Sequence, residues 1–402
     1  KTDRVAEVAT ISAGDETIGK LIASVIEKIG KDGVVTVEAS QGMDLEAEVV
    51  EGFTFDRGFV SQFFVTDVNR QEAVYEKPAI IITDKKVSNV QEFLPILDKL
   101  VAAGKKEAVL IADEVEGEAL SILVLNKLKG AFNTVAVKAP AYGDRRKEIL
   151  NDIAILTGAT VISEDQGYTF ENVGLEVIGT ARKVIVGKDS TTIIEGAGKT
   201  ADIKKRIALI NTQNENAVNK YDKEHNEKRA ASLSGKVAVI KVGGTTETEI
   251  EEKKYRVDDA VAATKAALAE GIVAGGGVTL VNLSANIKVE GSDSVTAGRQ
   301  ILKNALKQPF LQVTANAGLN SEALLAQVES AKPGFGINVN KPEKGLIDVK
   351  KDGVIDPTRV VKEAVMNAVS IASTAATMGA LVVDIPEKET PAAGGMGGGM
   401  GY

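Results

Sequence analysis

The spacing of apolar positions predicts three regions of different character along the chain. Ile18, Leu21, Ile22, Val25, Ile26 and Ile29 recur at helical intervals, with Asp15 near the start and Gly30 just past the end. Strand-like runs follow at 33–37 and 46–51. From about residue 78, short apolar runs at 79–83, 108–112, 135–137 and 159–163 alternate with helical stretches at 88–103, 116–129 and 144–156. Such alternation predicts a parallel sheet covered by helices. Residues 201–234 are helical in composition but polar, with Ile203, Ile207 and Ile210 as a narrow stripe. After a strand at 235–242 the pattern is mostly helical, at 257–270, 295–306, 322–328 and 358–377. The Gly/Met-rich tail at 385–402 offers nothing to a core and predicts disorder.

Two of the predicted helices carry more apolar surface than packing on one sheet face requires. In the stretch from Glu116, the residues Ala119, Leu120, Ile122, Leu123, Val124, Leu125 and Leu128 are spread around the helix axis. In the preceding one, Val90, Phe93, Leu94, Ile96, Leu97, Leu100 and Val101 cover more than one face. Phe59, Val60, Phe63, Phe64 and Val65 add a third cluster in a predicted loop. Burial under other helices is one reading. The other is an exposed groove that takes apolar segments of other chains without strict sequence preference, because the hydrophobic effect is non-directional.

Composition narrows the chemistry. The 402 residues suggest two or three domains, and a net charge of −8 with 4% aromatics and no Trp argues against nucleic acid as the main partner. Cys is absent and His225 is the single histidine, which leaves no thiol chemistry, no histidine-based triad and no predicted metal site built on either residue. No apolar run of membrane-spanning length occurs. Gly196-Ala197-Gly198-Lys199-Thr200 has the end of a phosphate-binding loop, but Ile193 stands where its first glycine belongs. Gly275-Gly276-Gly277 fails the dinucleotide fingerprint because Leu280 occupies its last glycine position. Asp258-Asp259 and Asp356-Pro357-Thr358 read as helix starts, where an Asp caps free amides and Pro has no N–H to lose. A carboxylate that orients a water or Mg²⁺ near a nucleotide is the competing reading.

Several strings resemble those of group I chaperonins. Phe55-Asp56-Arg57-Gly58, Val115-Glu116-Gly117-Glu118-Ala119-Leu120, Val137-Lys138-Ala139-Pro140 and Gly143-Asp144-Arg145-Arg146-Lys147 are similar to the apical domain of that family. Val273-Ala274-Gly275-Gly276-Gly277, Ile355-Asp356-Pro357-Thr358 and the Gly-Gly-Met tail are similar to its equatorial part. The resemblance implies a multidomain α/β chaperonin fold. Its parts would be an intermediate domain at 1–50 and 238–270, an apical domain at 51–237, a mainly helical partial equatorial domain at 271–384 and the tail. It also implies a cytoplasmic chaperone that binds unfolded polypeptides and uses ATP and Mg²⁺ to encapsulate and refold them. A co-chaperonin lid and further copies in a double ring would be its partners.

Position by position, the resemblance assigns polypeptide binding to Phe59, Phe63, Phe64, Leu94, Leu97, Leu120, Val124 and Leu125. It makes Asp259 the catalytic residue, reaching the nucleotide after domain closure, and places Gly276, Asn338 and Asp356 around the nucleotide. Arg57 and Glu247 align with an inter-subunit ion pair. The family's Gly-Asp-Gly-Thr-Thr phosphate loop has no counterpart here, so weak or no ATP turnover is expected of this chain alone. The alternative is a stand-alone α/β small-molecule enzyme with an appended helical domain.

Overall fold

The structure is a computed structural model and describes residues 2–30, 33–40, 42–380 and 382–383. The predicted tail at 385–402 lies outside the described residues. Helices α1 (Thr2–Ala13) and α2 (Glu16–Ile29) come first. The second is the one the Ile/Leu/Val spacing predicts. The Asp15 carboxylate accepts from the Thr17 and Ile18 amides at 2.7 and 3.2 Å, and Gly30 takes a positive φ of 84° at the other end.

Strands β1 (Val34–Ala39) and β2 (Leu45–Phe55) lead to a 3-10 turn at Gln62–Phe64 and to β3 (Ala73–Glu76). The predicted alternation follows as β4 (Ala79–Ile82), β5 (Lys86–Val87), α3 (Val90–Ala102), β6 (Glu107–Ala112), β7 (Glu114–Val115), α4 (Gly117–Leu128), β8 (Asn133–Lys138) and α5 (Gly143–Thr157). Next are β9 (Gly179–Val186), β10 (Thr191–Gly196), α6 (Thr200–Asn216), α7 (Lys220–Leu233), β11 (Lys236–Val242) and α8 (Glu247–Glu270). The remainder is β12 (Ile272–Ala274), α9 (Val278–Ala285), α10 (Asp293–Ala305), α11 (Gln308–Asn316), α12 (Ser321–Ser330), β13 (Phe335–Ile337), β14 (Leu346–Asp348), β15 (Ile355–Pro357) and α13 (Thr358–Thr377).

One sheet in the order β1-β11-β2-β10-β9-β4-β6-β8, with β3 beside β9, organises the first two thirds of the chain. The parallel part is β4-β6-β8, and β4 is buried at every position, as strands covered on both faces are. The run at 159–163 does not join it as a strand. Only Ile162 bridges Thr83, whose hydroxyl donates to the Ile162 carbonyl at 2.7 Å before the chain turns away at 164–166. Strand β2 is shared: residues 45–51 pair with β11 and residues 52–55 with β10.

The buried apolar residues form separate cores. One runs from Phe53 to Leu233 and includes Ile80, Leu110, Val135 and Ile153. A second joins Ala9, Ile22 and Val37 to Ile240 and Val257. A third holds Ala274, Val278, Phe310 and Val328.

Helix α8 begins ten residues before the predicted start at 257. Thr246 and Glu249 form a capping box, the Glu249 amide donating to the Thr246 hydroxyl and the Thr245 amide to the Glu249 carboxylate. Asp258 and Asp259 therefore sit in the helix interior, which overturns the capping reading for both. Asp356 is likewise no cap: it lies in β15, and Pro357 occupies the position before α13.

Candidate functional site

The apolar surface and a crevice in the helical region both draw on the residues singled out in the sequence. On α4, Ala119 and Leu123 face the core, Leu120, Ile122 and Val124 are half-buried, and Leu125 and Leu128 stand out at 47% and 66% exposure. The helix is thus apolar toward both sheet and solvent. Helix α3 is more one-sided, with Phe93, Ile96, Leu97 and Leu100 inside and Leu94 and Val101 outside. In the adjoining segment Phe59 is half-buried and Phe63 is 59% exposed.

Two expected members of this surface are enclosed. Phe64 is completely buried, because the tight 3-10 turn drives its ring into the core while its neighbour Phe63 points out. Leu97 is buried as part of the inward stripe of α3. Phe59, Phe63, Leu94, Leu120, Val124 and Leu125 keep accessible apolar area.

The segment carrying Phe63 is strapped down. The Phe59 amide donates to Gly187 O and the Val60 amide to Ala136 O. The Lys127 ammonium, from the last turn of α4, donates to the carbonyls of Phe63 and Val65 at 2.9 and 2.7 Å. Burial holds the Lys127 amine below its ordinary range. Sequence reasoning passed over Lys127 because its partners are backbone atoms some sixty positions away, which leave no side-chain pattern.

Gly276, Asn338 and Asp356 come together in a crevice of about 660 Å³. Gly276 takes a φ of 63°, and a side chain there would be strained. Asn338 is turned toward Asp352, donating to it at 2.6 Å, and its own carbonyl accepts from the Asn340 amide. Lys344 and Asn338 hold the Asp352 carboxyl below the usual range, whereas burial raises that of Asp356. Ala274, Ile337, Val339 and Val354 supply apolar walls, and neither Lys nor Arg lines the crevice. A base and its sugar fit this lining: flat apolar contact, with carboxylates to accept from hydroxyls. Phosphates do not, since two carboxylates repel them and no cation lines the walls.

Asp259 is not among the residues lining that crevice. It is exposed on α8 and borders another depression with Thr54, Arg70, Ser190 and Asp258. Asp258 is pushed up to about 6, mainly by burial and against the pull of Arg70 at 3.3 Å. Arg57 and Glu247 make no ion pair among the described residues. Among the described residues no group of three or more His, Asp or Glu could hold a metal ion. The Gly196–Thr200 stretch does join a strand to a helix, but its Ala197 and Gly198 amides are spent on Thr180 O and Leu156 O and cannot cradle an anion.

Residues 2–385 match the TCP-1/cpn60 chaperonin family. A single family thus spans the α/β and the helical parts, and the helices are not an addition to an unrelated enzyme.

Proposed function

Because the chain belongs to the TCP-1/cpn60 chaperonin family, we propose that its chaperone role is carried by the apolar surface of Phe59, Phe63, Leu94, Leu120, Val124 and Leu125. That surface holds non-native polypeptides through apolar area. The observation behind this reading is the pair of exposed leucines on α4 together with Phe63, all mounted on a rigid sheet core. A folded helix gains nothing from such residues unless something else covers them. The core from Phe53 to Leu233 is the polypeptide-binding domain in this reading. The second and third cores are the linking and the nucleotide-binding domains.

ATP enters with its adenosine end in the Gly276/Asn338/Asp356 crevice. Asp356 accepts from ribose hydroxyls, and Asn338 offers its remaining N–H to the base. Mg²⁺ accompanies the phosphates, which this crevice does not itself neutralise. In the complete protein Asp259 would act only when α8 moves toward that crevice, and hydrolysis would drive encapsulation of the client under a co-chaperonin; this chain alone should turn ATP over weakly or not at all. Arg57 of one copy pairs with Glu247 of the next in an assembled ring.

A Phe63→Glu plus Leu125→Glu variant tests the carrying claim. Burying each side chain is worth roughly 1.5–3 kcal/mol, so capture of a reduced, unfolded client falls by about a hundredfold or more. The circular dichroism spectrum stays unchanged, because both residues are on the surface. Unaltered capture by the folded variant would sink the proposal.

A further inference from the structure

We infer that Lys127 is a positioning residue for polypeptide binding: its ammonium holds the Phe63 turn against α4 so that the phenylalanine ring is presented to clients already ordered. The inference rests on the surface reading above and adds a residue to it. Besides Lys127, the segment from Phe59 to Val65 is held at several points. Phe59 and Val60 are bonded to Gly187 and Ala136, and the Phe64 ring is locked in the core. The turn adds bonds of its own, from the Phe63 and Phe64 amides to Ser61 and from the Val65 amide to Gln62 O, but all of these leave the Phe63 carbonyl unattached. Lys127 closes that gap, bonding the carbonyls on both sides of Phe64.

The choice of residue is informative. Lys127 lies between the exposed Leu125 and Leu128 at the apolar edge of α4, where an aliphatic residue would pack at lower cost. It makes no ion pair among the described residues, so carbonyl oxygens alone compensate its partial burial. An ammonium with three donors on a long stem can gather two carbonyls that point different ways, which a neutral side chain of this length cannot. The result is an aromatic ring 59% exposed on a backbone tied at both flanks. A partner then meets an anchor whose ordering cost is already met.

The test uses the full chain and an unfolded, carboxymethylated polypeptide as probe. Lys127→Met keeps the aliphatic stem and removes the ammonium. Hydrogen exchange across residues 61–66 should speed up about tenfold, and probe affinity should fall roughly three- to tenfold with the melting temperature little changed. In a Phe63→Ala background the same substitution should have no further effect on affinity, since Lys127 acts through that ring. Lys127→Arg, which retains the donors, should recover most of the loss.

Unchanged exchange in Lys127→Met overturns the inference. So does faster exchange with affinity intact while Phe63→Ala lowers it, because the two residues would then be uncoupled. If Phe63→Ala itself leaves affinity unchanged, the surface reading fails and this inference with it.

Discussion

Asp152 is a charge at 1% exposure, and it is held by two arginines. Arg229 bonds both of its oxygens, through Nε at 2.7 Å and Nη2 at 3.1 Å, and Arg206 adds a third bond at 2.7 Å. Glu148 extends the network to Arg229 and His225. These residues come from α5, α6 and α7, and their ion pairs add to the Ile203, Ile207 and Ile210 stripe of α6 and the buried Leu233 of α7 in keeping the two helices on the core. The stripe was legible in the sequence. The ion cluster was not, because its partners lie 54 and 77 positions apart and share no local spacing. Removing one member of such a network leaves buried charge uncompensated, at roughly 3–5 kcal/mol. Asp152→Ala should therefore lower the urea midpoint by that equivalent and loosen α6 and α7 first in hydrogen exchange. A loss under about 1 kcal/mol would show that solvent reaches the arginines after all.

At the scale of elements, legibility followed how local the cause was. Helix α2 could be read from its spacing and its cap, since both reside within one segment. Strands β9 and β10 escaped notice although they lie in the middle of the sheet. The inward-facing Lys183 breaks the apolar alternation of β9, and it is tolerated there because Glu38 of β1 pairs with it at 2.9 Å and Glu76 of β3 at 3.7 Å. A strand whose core position is a paired lysine does not look like a strand. The early start of α8 did have a signal, the Thr246–Glu249 capping box, but the roughly three turns of mostly charged residues that follow it hid it.

Those same turns dock the 66–72 loop. Asn69 donates to the Tyr255 hydroxyl at 3.1 Å, and Arg70 lies between Glu72 and Asp258 at 3.2 and 3.3 Å. Burial raises both carboxyls, Asp258 to about 6, despite Arg70, Lys254 and, at Glu72, Lys265; Asp67 and Asp259 add to the rise. A docked state with a raised carboxyl pKa binds protons more tightly than an undocked one. Docking is therefore strongest below the ordinary value near 3.8 and weakens as pH rises through about 6. Burial lowers the Lys265 amine, whose effect on docking has the opposite pH sense. Hydrogen exchange of residues 66–72, corrected for its intrinsic pH dependence, should be about tenfold slower at pH 5 than at pH 7. Asp258→Asn should remove most of that difference, and a difference that survives the substitution would assign the effect elsewhere.

Over the whole molecule, apolar surface is distributed unevenly. The helices of the first two cores bury at least one apolar face, whereas α10 and α13 bury no residue at all. Between them runs a groove of about 530 Å³ lined by Leu280, Ile301, Leu302, Leu306, Val365 and Val369. Ile301 and Ile371 are about 70% exposed. The predicted helices at 295–306 and 358–377 were legible because their apolar stripes are regular. What the stripes pack against was not, since periodicity marks a face without naming its cover. Among the described residues two separate apolar regions stand out, one on α3, α4 and the Phe63 turn and one along α10 and α13. An environment-sensitive naphthalenesulfonate dye should report both. Ile301→Asp plus Val369→Asp should remove one share of its fluorescence, and Phe63→Glu plus Leu125→Glu another. The combined variant should lose the sum, because sites without shared contacts behave additively. The groove substitutions should leave capture of an unfolded client unchanged. If they abolish it as well, client binding is not confined to the α3–α4 surface, and the helical region holds polypeptide too.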